Sequence, residues 1–480
     1  MRRFLIDNDG GNFFLGRMTC DVERSIAETV EEIPENVTTY LLCPGGGTYY
    51  YPTRVGEVNI ADSVNYFNFG PLNAALKEGK DPFGMFLQAL HNAGKETFIT
   101  YRTNDVHNPD AEDQWNTPKV RKEHPDCIVD PKAAREKKDD SYWLAYCLDY
   151  SRADVREYHL AVISELVQRY GHIIDGFQLD WMRFPRHLPN APGEEWGEVW
   201  EKRHFLTQFA EDVHRILADS RRKILLSARV PTNVHGCRFL GLDIAEWTCR
   251  KLVDFLVPSS FMTCDFVMPL EEMRAEMGEH AVPLYAELGV NHSKQSHVPE
   301  SVRAAALSLF DCGADGIYMF NWPCWNESYA APPYHWFTDF HDPKAAAKKP
   351  LLFSISNKLW PRVPNVDMPG YLPVRLAHGE RLEVPWWIPK AAIPSRRSVV
   401  LVHSGGDIKF SFNGQEVPEL PNRKFGLFAE HHSTTYQTDR NEFRMFQVPV
   451  SLLNPGMNAL VLTNQANRAL EIKRINMGLW

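Results

Sequence analysis

At 480 residues, with 44% hydrophobic and 24% charged side chains, the chain has the make-up of a soluble globular protein large enough for one big domain and a smaller one. A formal net charge of -9, a pI near 6.1 and the lack of any long Lys/Arg cluster argue against nucleic acid as a partner, because phosphate binding needs a basic surface. No apolar run is long enough to span a membrane, and nine cysteines without CxxC spacing argue against a disulfide framework or zinc site.

The chain opens with the apolar run Phe4 to Ile6 and passes into Asp7, Asn8, Asp9, Gly10, Gly11, a strand entering a polar loop with Asp7 and Asp9 on one face. Three apolar residues before the first aspartate are too few for a signal-peptide core, so a cytoplasmic location is expected. The Asp-x-Asp-Gly run fails the calcium-loop pattern at its next positions, and no metal or cofactor is implied. A helix is expected over about Asp21 to Ile33 and a second strand over Thr38 to Cys43. The glycines that follow, Gly45 to Gly47, lack the Lys-Ser/Thr of a phosphate loop. A tyrosine-rich stretch, Thr48 to Pro52, then leads into a loop through Asn73.

Pro82 to Ala93 is expected to be helical and Glu96 to Arg102 to be the third strand, with Thr100 and Arg102 together and Asp105 and His107 in the loop beyond. A long excursion, Asn108 to Tyr150, contains Trp115 and many charges, as a substrate-covering loop would. A helix from about Arg152 to Tyr170, with Ser151 as its N-cap, precedes the stretch DGFQLDWMRFP, Asp175 to Pro185. Counting by twos puts Phe177, Leu179 and Trp181 on one face of a fourth strand and Gln178 and Asp180 on the other. Helix or strand then alternates through Trp196 to Ser220, Lys223 to Val230, Asp243 to Leu252, Asp254 to Phe261, Glu271 to Glu279, Pro283 to Gly289, Ser301 to Cys312 and Gly316 to Trp322. Eight such units predict a (β/α)8 TIM barrel over residues 1–345, with chemistry at the C-terminal ends of its strands. After Pro350 short β-branched and aromatic runs separated by Gly, Asn and Pro predict an antiparallel β-sandwich, the accessory domain being residues 346–480.

In that barrel Asp180 and Glu287 end the fourth and seventh strands on polar inward faces, across the mouth from each other. Hydrolysis of a glycoside needs two such carboxyl groups, one to protonate the leaving oxygen and one to attack or to activate water. Asp7, Asp9, Asp105 and Asp265 are rivals for either role. Arg102, Arg183 and Arg229 fall at or just past strand ends around the same mouth. Arginine forks bind carboxylates and sulfates, so three of them point to an anionic glycan, sialylated, uronic or sulfated; alternatively they neutralise the acids themselves. Trp181, Trp322 and Trp325 are candidates to stack on sugar faces or to fill the core.

The runs HPDCIVDP, LDYSRADVREYHLAVISELVQRYGHIIDGFQLDWMRFP, VDFLVPSSFM and ADGIYMFNW resemble the barrels of family-10-like glycosyl hydrolases over roughly Glu96 to Trp322. The resemblance implies glycan hydrolysis with Asp180 as the acid. A second resemblance, to inverting exo-sialidases on a similar barrel, implies a first-strand aspartate, Asp7 or Asp9, working with His107 on water, while Arg102, Arg183 and Asn321 hold the substrate. FSFNGQEV and VSLLNPGMNALVL resemble jelly-roll accessory domains of carbohydrate enzymes. A third possibility is a barrel that binds a glycan without cleaving it, if the carboxylates are too far apart or tied up in ion pairs. The expected partner is thus an oligosaccharide, with neither membrane nor nucleic acid, and a homo-oligomer is left open.

Overall fold

A computed structural model describes residues 3–58, 68–107, 109, 116–137, 142–189, 197–260, 266–289, 298–327, 332–339, 342–356, 372–392, 397–420 and 443–480. Eight parallel strands run in order around one sheet: β1 (Phe4–Asn8), β2 (Thr39–Leu42), β3 (Glu96–Arg102), β4 (Gly176–Asp180), β5 (Leu225–Pro231), β6 (Phe255–Ser259), β7 (Tyr285–Gly289) and β8 (Gly316–Phe320). β1 pairs with both β2 and β8, and the ring closes between β6 and β7 through the parallel bridge Leu256 to Leu284. Helices separate the strands, so the domain is a (β/α)8 barrel.

The alternation expected for β4 holds in three dimensions. Phe177 and Leu179 belong to the core between barrel and helices, and Tyr101, also outward on β3, meets His159 of the helix Ala153–Tyr170 at 2.6 Å. The inward set fills the barrel: Leu5, Leu41, Phe98, Phe255, Val257, Tyr285, Tyr318 and Phe320 form a separate cluster. Two strands make room by omitting a side chain. A Cβ on Gly176 would lie 2.0 Å from the Phe98 ring, and one on Gly316 would lie 2.2 Å from the Arg3 carbonyl oxygen.

Several local expectations are corrected. The helix expected over Trp196 to Ser220 is two helices among the described residues, Gly197–Glu201 and His204–Ala218. Between them Lys202 and Arg203 donate to carbonyls three residues back, a tight turn that redirects the chain. Ser151 does not cap the helix after it, since its hydroxyl bonds the Asp149 carboxylate at 2.6 Å. Helices Gly70–Lys77 and Val234–Leu240 were not expected. The first begins on a Gly-Pro pair that resembles a loop but suits a first helical turn, and the second is capped by Asn233, whose side chain accepts from Gly236 N at 2.7 Å.

Beyond the barrel, two four-stranded antiparallel sheets face each other. One is ordered β11 (Arg381–Ile388), β16 (Gly456–Asn464), β13 (Ile408–Phe412), β14 (Gln415–Val417). The other is β15 (Phe443–Val448), β12 (Ser398–His403), β18 (Arg474–Leu479), β9 (Leu351–Ser356). A two-stranded pair, β10 (Val374–Leu376) with β17 (Leu470–Ile472), completes the domain. Phe410 and Phe446 stack across the sandwich at 4.6 Å, and Phe266 of the barrel packs on Phe353 and Trp386, so one apolar core runs through both domains. Among the described residues no helix is long and apolar enough to cross a membrane.

Gly176→Ala should destabilise the protein by roughly 1–3 kcal/mol, the cost of overpacking against Phe98. Chemical denaturation reads this directly, and a companion Phe98→Leu change should recover part of the loss.

Candidate active site

Period-two alternation delivers the last inward residue of each barrel strand to the C-terminal mouth. Register sets Arg102, Asp180 and Arg229 side by side on β3, β4 and β5. At the lower level Arg229 is the hub. Its Nε donates to Glu287 Oε2 at 2.5 Å, and its Nη1 lies 3.0 Å from both oxygens of Asp180. The guanidinium carbon is 3.7 Å from the centre of the Phe320 ring, the distance of a close cation–π contact. Arg229 and Glu287 are fully buried and Asp180 nearly so.

The two acids differ in their surroundings. Asp180 Oδ1 also accepts from the backbone N–H groups of Met182, at 2.9 Å, and Arg183, at 3.1 Å. Burial raises the Glu287 carboxyl above the usual glutamate range, with Arg229 opposing and Asp180 adding to the rise. Burial works against the Arg229 cation, but Asp180 and Glu287 outweigh it and hold the guanidinium firmly charged. Below this pair, Tyr318 of β8 places its hydroxyl 2.8 Å from both Asp7 Oδ2 and Gln178 Oε1. Asp7 is pushed up to about 8, first by burial, then by the neighbouring charge of Asp9.

The outer level is a second chain of charges. Asp9 pairs closely with Arg102 and more distantly, at 3.8 Å, with Arg183. Although burial pushes Asp9 up, Arg102 and Arg183 outweigh it and hold the carboxyl below its ordinary value. Arg102 Nη1 bonds Asp105 Oδ2 at 2.6 Å, while Asp105 Oδ1 receives His107 Nδ1 at 2.6 Å and Asn116 Nδ2 at 2.7 Å. Burial alone would raise Asp105, but His107 and Arg102 prevail and hold it far below the carboxylate range. Arg183 Nη2 lies 2.9 Å from His107 Nε2. Because arginine only donates, that nitrogen accepts, and the imidazole proton sits on Nδ1 facing Asp105.

The glycines after β2 have their explanation here. A Cβ on Gly46 would lie 1.9 Å from Asp105 Oδ2 and one on Gly47 1.7 Å from the Asn116 carbonyl oxygen. The run lets the backbone of one loop press against the carboxylate of the next, and Gly47 N–H bonds Asn116 Oδ1 at 3.1 Å.

The expected residues therefore meet, but with several partners changed. His107 is oriented by Asp105, not by Asp7 or Asp9; Asp9 is taken by Arg102, and Asp7 lies deeper, against Tyr318. Asp105, a rival for either carboxyl role and a candidate to contact substrate from its loop, is buried and occupied by Arg102, His107 and Asn116. Arg229, also expected on substrate, neutralises Asp180 and Glu287. Asn321 has a left-handed backbone, φ 51°, and its Oδ1 lies 3.4 Å from the Asp9 N–H, which makes it a turn residue supporting Asp9. Trp322 is fully buried, 4.7 Å from the Phe337 ring centre, and Trp181 packs 5.9 Å from Trp247; both are core because their backbone positions turn them outward from the mouth. Tyr49, Tyr50 and Tyr51 are buried too. Asp265 and Trp115 lie outside the described residues, as does the Trp325 side chain.

Sequence reasoning overlooked Gln178 as a partner, Tyr318 and Asn116. Counting by twos back from Phe320 would have found Tyr318. Asn116 sits in an irregular loop, and no periodicity marks it.

The chain is thus a (β/α)8-barrel protein with a β-sandwich and an acid–arginine cluster at the barrel mouth. No family model matches the sequence, and no curated protein matches it. Among solved structures it is similar to an α-amylase from Geobacillus thermoleovorans at 12% identity and TM-score 0.42, covering 98% of each chain. It is similar to the PgaB (BpsB) glycoside hydrolase domain from Bordetella bronchiseptica at 12% identity and TM-score 0.40, covering 72% of this chain and 97% of that one. It is also similar to α-L-fucosidase isoenzyme 1 from Paenibacillus thiaminolyticus at 11% identity and TM-score 0.34, covering 96% of each. The chemistry of the site rests on its own geometry.

Two predictions test the electrostatics. Arg229→Met leaves the buried Asp180 carboxylate without its counter-charge and Glu287 without its donor, and should cost about 3–5 kcal/mol near neutral pH, whereas the triple change with Asp180→Asn and Glu287→Gln should recover most of it. For Asp7 the folded-state value near 8 exceeds the ordinary 3.8, so the folded state binds the extra proton. Its contribution is then fully present at low pH and lost as pH rises, at about 1.4 kcal/mol per pH unit between those values. Asp7→Asn should flatten that decline in a series of denaturation curves; an unchanged slope would contradict the assignment.

Proposed function

We propose that the protein is a glycoside hydrolase whose two working carboxyl groups are Glu287 and Asp180. The observation that carries this is their convergence, from opposite walls of the barrel, on one buried arginine at the C-terminal mouth. The environments support different tasks for the two. Glu287, raised by burial, is suited to hold a proton and give it to a leaving oxygen. Asp180 accepts backbone N–H groups and Arg229, and is suited to act as the carboxylate that attacks or activates water. This exchanges the role that the family-10-like resemblance implies for Asp180.

For the substrate, we infer a glycan carrying a carboxylate or sulfate. Arg183 supports this only through its place in the outer tier: its own side chain is 9% exposed and lies 3.8 Å from Asp9, but it borders His107, whose side chain is 31% exposed. Arg102 and Arg229 lend it little support, since their charge is met by Asp9, Asp105, Asp180 and Glu287. The exo-sialidase-like scheme loses its main support because His107 is oriented by Asp105.

One observation favours a second reading, binding without cleavage: Arg229 engages both carboxylates of the inner pair at once. Turnover separates the two. The enzyme should hydrolyse members of a panel of acidic aryl glycosides, and Asp180→Asn should abolish the reaction on all of them. Glu287→Gln should lose about 10²- to 10⁴-fold on glycosides with poor leaving groups but far less on dinitrophenyl glycosides, which leave without protonation. The wild-type rate on poor leaving groups should fall as pH rises through the Glu287 value, and that limb should vanish in the variant. No turnover of any glycoside would leave binding as the function. Arg183→Gln should weaken acidic substrates more than their neutral counterparts.

A further inference from the structure

A second concave site lies away from the barrel mouth, at the seam between barrel and sandwich. The cavity, about 880 Å³, is walled by Lys344, Lys348 and Lys349 of the segment leading out of the barrel, by Lys390 after β11, and by Asp311 and Trp480. Leu351 and Leu479, paired in register at the ends of β9 and β18, form an apolar floor. A volume of this size suits a small ligand, for which pockets run to roughly 300–1,000 Å³.

The charge of the seam is opposite to that of the chain. Four lysines stand against one aspartate on a protein whose net charge is -9. The aspartate is exposed but partly engaged, since Asp311 Oδ2 accepts from Trp387 Nε1 at 3.1 Å and from the Lys390 backbone N–H at 3.3 Å. Among the described residues Lys344, Lys348 and Lys390 make no ion pair. Single exposed ammonium groups attract anions weakly, but several around one low-dielectric concavity reinforce one another. Trp480 adds a partly exposed indole, with the Arg397 guanidinium 5.6 Å from its ring centre.

We propose that this seam binds an acidic oligosaccharide, with carboxylate or sulfate groups on Lys344, Lys348 and Lys390 and an apolar sugar face against Trp480. Both anion sources share the chemistry the lysines offer. The site stands on its own residues and does not depend on the barrel mouth being catalytic. A nucleic acid strand also combines anions with stackable rings, but an extended polyphosphate needs a basic track, and the lysines here are confined to one cavity on a chain of net charge -9.

Calorimetric titration of the full chain tests this with four probes: oligogalacturonate, oligosaccharides of dextran sulfate, neutral maltoheptaose and a single-stranded oligonucleotide. At least one acidic saccharide should bind at least ~10-fold more tightly than maltoheptaose at low salt, and the preference should shrink as salt screens it. Comparison of the first two probes tells carboxylate from sulfate recognition. The variant Lys344→Gln/Lys348→Gln/Lys390→Gln should lose at least ~10-fold in that affinity. Trp480→Ala should weaken it further, and the binding that remains in Arg183→Gln, which removes any share of the barrel mouth, should still depend on the three lysines. Circular dichroism and the melting temperature confirm that the lysine variant is folded, which exposed side chains permit. Equal binding by wild type and lysine variant, loss of all binding in Arg183→Gln, or tighter binding of the oligonucleotide would each overturn the proposal. Because the readout is binding, failure of glycoside turnover leaves this test unaffected.

Discussion

A guanidinium with no exposed surface has to find its counter-charges inside the protein, and Arg229 finds them on two different strands. Desolvating an ion costs several kcal/mol even after the surroundings relax, so such a group persists only where good geometry returns the cost. Arg229 meets Glu287 of β7 and Asp180 of β4 while lying on the face of Phe320 from β8. Four of the eight strands thus meet through one side chain. The shape of the mouth depends on that contact: removing the arginine would leave acids facing each other, and removing an acid would leave the arginine under-compensated. The same arrangement separates the two acids chemically, because Asp180 takes additional backbone donors while Glu287 is governed by burial.

The outer tier repeats the principle with more water nearby. Asp9, Arg102, Asp105, His107 and Arg183 form a chain in which Arg102 bridges the two acids and Arg183 bonds His107; Arg102 and Arg183 hold Asp9 below its ordinary value, and His107 and Arg102 do the same for Asp105. Close approach of backbone makes this possible. The glycines at 46 and 47 occupy positions where any side chain would collide with Asp105 or Asn116, so the loop after β2 braces the loop after β3. A motif without phosphate chemistry is here a packing device for a carboxylate.

The sandwich is joined to the barrel by the same apolar core, through Phe266, Phe353 and Trp386. Arg303 of the barrel helix Pro299–Asp311 also bonds the Pro350 carbonyl at the approach to β9. A covalent linker and a continuous core hold the seam lysines and Trp480 around one cavity, which neither domain would form alone.

How much of this was legible in the chain follows from the range of each interaction. Alternation in FQLD put Asp180 inward, and the same period put Arg102, Arg229 and Glu287 inward, because strand geometry is local and repeats every two residues. Alternating helix and strand patterns determined the barrel, and the short runs after Pro350 determined the sandwich. Partner choice was not legible. Arg229 and Glu287 are 58 residues apart, and nothing near either one says that they will touch. Sequence placed His107 beside first-strand acids, whereas the fold gives it to Asp105, two residues away, because Arg102 reaches Asp9 first. Trp322 looked like a sugar platform from its residue type, but two residues past the strand it turns into the helical layer beside Phe337. Local pattern decides which face a side chain occupies. Only the closed barrel, bringing distant strand ends within a few ångströms in a medium that cannot screen them, decides which charge answers which.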